Sequence, residues 1–149
     1  LQKNIFEPVT FALGIYLGKA ENELDVGIGV RSDDGSLSRL FQKSVISLIN
    51  EDDAFGRYLY DRAAFLKYFY SISRVISDFT AQDKKSRTDE GVEYDMLSEN
   101  EAIRIISHVA GDDGYLTTLA AAAGARILGV DCRDIALGIR TMKENNKRY

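Results

Sequence analysis

Apolar residues recur every three or four positions along most of this chain, the period of a helix with one buried face. The densest case is RYLYDRAAFLKYFYSISRVISDF, residues 57 to 79. At about 100° per residue, Tyr58, Phe65, Phe69, Ile72, Ile76 and Phe79 fall into one narrow stripe, the expected core face. Tyr60, Lys67, Tyr70 and Arg74 gather on the other side, where rings and cations share a surface. The pattern predicts a long aromatic-rich central helix over about 53 to 81.

Further helices are expected at about 7 to 24, 36 to 50, 98 to 110, 113 to 128 and 131 to 146. Pro8 suits a first helical turn, and Gly14 and Gly18, four apart, would let a neighbouring helix approach closely. Ser98 followed by Glu101 has the form of a capping box, and LAAAAGARIL offers small side chains for tight packing. DVGIGVRSDDG reads as a short extended piece or a loop, and Gln82 to Leu97 as a polar acidic loop with KKSRTDEG its most polar part. The predicted fold class is all-α: one compact bundle of five or six helices, with residues 1–149 forming a single helical domain.

Composition fits that picture. The length suits one domain, and 45% apolar with 28% charged residues is ordinary for a globular chain. The single proline leaves long helices permitted almost everywhere. Cys132 stands alone, which excludes an intramolecular disulfide and a CxxC site and predicts a reducing, cytoplasmic setting. No apolar run approaches the roughly 20 residues of a membrane span, and the residues from Leu1 onward lack signal-peptide order, so no membrane partner is expected.

A net charge of −4 argues against bulk nonspecific nucleic-acid binding, but its distribution is uneven. Acid concentrates in ENELD, INEDD and DEGVEYDMLSENE, whereas Arg133, Arg140, Lys143 and Lys147 line one flank of the last predicted helix. Such a row fits a phosphate track, a docking edge for an acidic partner, or a solvated helix end that complements the dipole.

Catalytic signatures are sparse. Gly27 and Gly29 supply two glycines of a GxGxxG loop, but Ser32 takes the third place. In DDGSL and DDGYL, counting from Gly35 and Gly114 puts Phe41 and Ala120 where a calcium loop needs glutamate. His108, the only histidine, has no nucleophile motif beside it, and Cys132 has no orienting base. The adjacent pairs Asp52/Asp53 and Asp112/Asp113 do not share a helix face and read as caps.

No catalytic residue, metal or cofactor is therefore expected. The expected function is non-enzymatic: an adaptor, inhibitor or small subunit acting by contact with another protein or with copies of itself. Tyr60, Tyr70 and Arg74 would form the interface, or Asp89, Glu90, Glu93 and Asp95 if the partner is basic. The alternative is a nucleic-acid-contacting helical subunit of a ribonucleoprotein or coat-like complex, with Lys67, Arg74, Arg133, Arg140, Lys143 and Lys147 on phosphates. The weakest reading is an enzyme using His108 with an aspartate.

Overall fold

Alternation rather than helical period governs six segments of this chain. The computed structural model describes residues 9–18, 29–63, 66–87 and 91–142. Its elements are β1 (Phe11–Tyr16), α1 (Gly29–Gln42), β2 (Ser44–Asn50), α2 (Ala54–Arg62), β3 (Leu66–Ser71), β4 (Phe79–Ser86), β5 (Val92–Ser98), β6 (Glu101–Ser107), α3 (Gly111–Ile127) and α4 (Cys132–Thr141). The strands form a six-stranded sheet in the order β1-β2-β3-β4-β5-β6. The fold is α/β, and the expected all-α bundle is wrong. Along the chain it divides into two compact units, Leu1–Phe69 and Tyr70–Tyr149.

In the first unit β1 and β2 run parallel, with Leu13 beside Ile46 and Tyr16 beside Ile49, and α1 lies on the crossover between them. SVISLIN forms a strand because β-branched residues suit the pleat, and its last four positions are all buried, as parallel strands require. Tyr16, Phe41, Ile49 and Leu59 make the core of the unit, and Leu37, Phe55, Tyr60, Ala63 and Phe69 pack around it. The Tyr16 ring meets Phe41 and Phe55 edge-on, with centroids at 6.3 and 5.9 Å. Gly14 makes room here, since a Cβ would lie 2.6 Å from the Ser44 hydroxyl and would have to displace it.

The stretch from 57 to 79 is not one helix. α2 ends at Arg62, with Ala63 already extended at φ −66 and ψ 144, and Tyr68, Phe69 and Tyr70 continue as β3. Consecutive rings favour a strand, where neighbours point to opposite faces and each finds its own layer. The predicted helical stripe is not one buried face: Phe79 is buried and Phe69 packs on the core, but Ile76 is 88% exposed and Tyr58 38%, while Phe65 lies outside the described residues. The predicted helix at 7 to 24 contains β1, and the one at 36 to 50 is cut by Lys43 into α1 and β2.

In the second unit β3 and β4 pair in parallel at Tyr70 and Phe79, and β4, β5 and β6 are antiparallel neighbours. The expected acidic loop from Gln82 to Leu97 is largely β4 and β5. Val92, Tyr94 and Met96 point inward while Glu93, Asp95 and Leu97 alternate outward, so a one-sided strand carries half polar residues. The Ser98–Glu101 spacing closes the β5–β6 hairpin rather than starting a helix, because those two residues pair across it. The expected helices at 113 to 128 and 131 to 146 correspond to α3 and α4, although Lys143 to Tyr149 lie outside the described residues.

α3 lays Leu119, Ala120, Ala122 and Ala123 into this core, and its Thr118 hydroxyl meets the Tyr94 hydroxyl at 2.8 Å. Burial raises the Tyr94 phenol well above its ordinary pKa. At the far end of α3, Arg126 grips Glu101 with two bonds of 2.6 Å, which hold the Glu101 carboxyl below its ordinary range. α4 starts on an Asp131 side-chain cap and buries Ile135 and Ile139. Among the described residues no helix is long and apolar enough to cross a membrane.

Candidate functional site

Because β1 and β2 are parallel, their carboxyl ends arrive together: Leu17 and Gly18 after one, Asn50 to Asp53 after the other. In open α/β sheets ligands bind at this end, outside the strand termini. Asn50, only 5% exposed, locks the two turns. Its Nδ2 donates to the Leu17 carbonyl at 2.7 Å, and its Oδ1 accepts from the Asp52 amide at 2.9 Å. Gly18, at φ +133, holds a conformation that side-chain-bearing residues avoid, and a Cβ added there would lie 3.6 Å from that amide nitrogen.

Asp53 then starts α2. Its Oδ2 accepts from the Gly56 amide at 3.2 Å and from the Tyr16 hydroxyl at 2.7 Å, so a residue of β1 holds the helix cap of the next βα unit. Gly56 lies so close to the Asn50 carbonyl that any Cβ would overlap it. Arg57 reaches back to donate to the Glu51 carbonyl at 3.2 Å. The resulting lip, Glu51-Asp52-Asp53, is rich in acceptors and fits hydroxyl or amino groups better than bare phosphate. Among the described residues no group of three metal-ligating side chains occurs.

The residues expected from sequence lie elsewhere. Tyr60 is half-buried and stacks on Phe69 at 3.8 Å, and Lys67 donates to its carbonyl at 3.0 Å. Tyr70 is fully buried in β3 and so presents no interface. Arg74 is exposed in the β3–β4 loop, where its backbone amide donates to the Ser71 hydroxyl at 2.8 Å. No helix joins these residues, so they share no helical face.

Asp89 and Glu90 lie outside the described residues. Glu93 and Asp95 stand on the outer face of β5, where Arg104 of β6 meets them at 3.5 and 2.9 Å and also meets Asp83 at 3.2 Å. Those acids already have a cation inside the fold, which also keeps the Asp83 carboxyl below its ordinary range. Arg133 and Arg140 are exposed on α4, the latter beside a groove of about 220 Å³ lined by Arg104, Ile106, Ala136 and Leu137. Lys143 and Lys147 lie outside the described residues. His108 follows β6 rather than closing a helix, and Cys132 is the half-buried first residue of α4.

Sequence reasoning missed Asn50, Tyr16 and Gly56. The available signal was an apolar β-branched run, SVISLI, ending in Asn and followed by a capping aspartate and a short amphipathic segment.

No protein-family model and no curated protein matches the chain. Solved structures do. A UDP-N-acetylmuramoyl-L-alanyl-D-glutamate–2,6-diaminopimelate ligase matches 85% of this chain over 27% of its own, at 19% identity and a TM-score of 0.74. A pseudomurein peptide ligase type C from Methanothermus fervidus matches 93% of this chain over 35% of its own, at 13% identity and TM-score 0.74. A MurF ligase from Thermotoga maritima, in complex with ADP, matches 88% over 31% of its own, at 18% identity and TM-score 0.59. The chain thus spans about a third or less of these ligases. At such identities the likeness is one of fold, that of Mur-ligase domains. It overturns the expectations of an all-helical adaptor, inhibitor or small subunit and of a helical ribonucleoprotein subunit.

Proposed function

We propose that this chain is a nucleotide-binding module of a Mur-ligase-like enzyme, and that the Leu17–Gly18 and Asn50–Asp53 turns receive the base-and-ribose end of an adenine nucleotide. The observation that carries the reading is the Asn50 latch, a buried amide that sets two parallel-strand ends at a fixed spacing. The carboxylate lip supports the polarity of the assignment: ribose hydroxyls and base amino groups donate to acceptors, whereas a phosphate chain is repelled by them. The ADP held by a ligase of the same fold supports the choice of nucleotide. In this reading Asn50, Tyr16 and Asp53 shape the pocket, and the α2 N-terminus, already capped by Asp53, is not the phosphate site.

Calorimetric titration of the chain with ADP, adenosine and inorganic tripolyphosphate tests it. Binding of ADP, with most of the affinity kept by adenosine and none by tripolyphosphate, is the expected result. A folded chain that ignores ADP at millimolar concentration, or that prefers tripolyphosphate, would sink the assignment.

A further inference from the structure

Asp53 divides its two carboxylate oxygens between different tasks. Oδ2 accepts both side-chain bonds that the fold supplies, from the Tyr16 hydroxyl at 2.7 Å and from the Gly56 amide at 3.2 Å. A carboxylate offers about four lone-pair positions, so the two in use fall on a single oxygen. Among the described residues Oδ1 makes no hydrogen bond, although the side chain is half-buried. A capping aspartate needs only the helix amide. The second donor, brought from β1 across 37 residues, goes beyond what α2 requires.

Tyr16 is placed to hold that bond still. Its side chain is 6% exposed, and its ring meets Phe41 and Phe55 edge-on, so the hydroxyl takes its position from the packed core of the first unit. The other donor is fixed as well, because Gly56 lies hard against the Asn50 carbonyl. Two donors from different elements on one oxygen set the carboxylate plane, and with it the place of Oδ1.

The chemistry of Oδ1 limits what it can recognise. A carboxylate oxygen only accepts, so its partner must donate. An adenine edge sets the acceptor N7 beside the N6 amino group and would bring a lone pair against the carboxylate, and a phosphate offers acceptors alone. Ribose hydroxyls donate, and an acidic side chain holds them in dinucleotide-binding parallel sheets too. Resting on the nucleotide reading above, we infer that Asp53 Oδ1 receives the ribose hydroxyls and that Tyr16 is the positioning residue that holds it for them. The pair makes the site selective for ribonucleotides over nucleotides that lack those hydroxyls.

Calorimetric titration of ADP and of 2′,3′-dideoxy-ADP into wild type, Asp53→Ser and Tyr16→Phe is the test. Serine keeps a capping oxygen for the Gly56 amide but has no second oxygen, and phenylalanine keeps the ring in the core while removing the donor. Wild type should prefer ADP by about tenfold or more, as expected for a hydrogen bond to a charged acceptor. Asp53→Ser should weaken ADP alone and bring the two ligands within about threefold of each other, and Tyr16→Phe should act in the same direction to a smaller extent. The ratio of two ligands on one protein separates recognition from folding: a Tyr16 that only supports the fold would lower the urea midpoint and leave the ratio untouched. Equal binding of both ligands by wild type overturns the ribose assignment and leaves the nucleotide reading standing, whereas a wild type that binds neither removes both. A full preference for ADP retained in Asp53→Ser overturns the role of Asp53, and one retained in Tyr16→Phe overturns that of Tyr16.

Discussion

Replacing Asn50 by aspartate changes one atom of the latch between the β1 and β2 turns. The new carboxylate can still accept from the Asp52 amide, as Oδ1 does now at 2.9 Å, but it can no longer donate to the Leu17 carbonyl, now 2.7 Å away. Losing that bond and leaving the carbonyl unmatched costs about 1–3 kcal/mol. At a position only 5% exposed, ionising the carboxyl next to a carbonyl oxygen adds a penalty of about 1.4 kcal/mol for each unit by which its pKa rises. The expected loss at pH 7 is about 2–4 kcal/mol, a large share of the roughly 5–15 kcal/mol that a domain possesses.

The second part of that loss has a sign that can be checked. With its folded-state pKa raised above the ordinary aspartate value of about 3.9, the new carboxyl binds a proton in the folded state while the unfolded chain has already lost it. Stability of Asn50→Asp relative to wild type should therefore recover as pH falls through the folded-state pKa, where the protonated acid can donate to Leu17 again. Asn50→Ala, with no titrating group, should lose a similar amount at every pH. Urea unfolding of the three proteins between pH 4 and 7, chosen to bracket the shifted carboxyl, reads both effects. A variant as stable as wild type, or one whose deficit ignores pH, would refute the latch.

Other substitutions probe separate contacts. Gly56→Ala forces a methyl into the Asn50 carbonyl and should cost about 1–3 kcal/mol, measured by thermal or urea unfolding; a neutral result would mean that the α2 turn moves freely away from β2. Tyr94→Phe removes a buried hydroxyl whose partner Thr118 keeps its bond to the Gly114 carbonyl, so the loss should be no more than about 0.5–1.5 kcal/mol by urea unfolding. Arg126→Lys replaces the fork on Glu101 by a point charge. Because Glu101 is held below its ordinary range, its contribution is present above the unfolded-state pKa and disappears as pH falls through the folded one, so the variant should show a flatter acid limb in a pH–stability curve.

Some of this protein is legible one segment at a time. The runs LAAAAGARIL and DCRDIALGIR specify α3 and α4 because helix bonds, caps and i to i+4 spacing are all local, and Asp131 caps its helix as its position suggests. Asp53 is likewise a cap, although nothing within its own segment shows that Tyr16, 37 residues earlier, will hold it.

Strands are different, since their partners lie far along the chain. Aromatic residues between 57 and 79 match a helical stripe and a strand equally well, and only the parallel pairing of β3 with β4, together with the burial of Tyr70, decides between them. The polar segment after Gln82 looks like a loop until Arg104 is brought across the sheet to Asp83, Glu93 and Asp95. The candidate site depends on distance in the same way. Asn50 meets Leu17 across 33 residues because β1 and β2 run parallel, and that contact follows from strand order and register. By itself the sequence determined α3 and α4 and the Asp53 and Asp131 caps, whose bonds lie within a few residues, and the charge balance. Strand order, sheet faces and the site were decided by tertiary structure, because their hydrogen bonds and ion pairs close only between segments that the fold brings side by side.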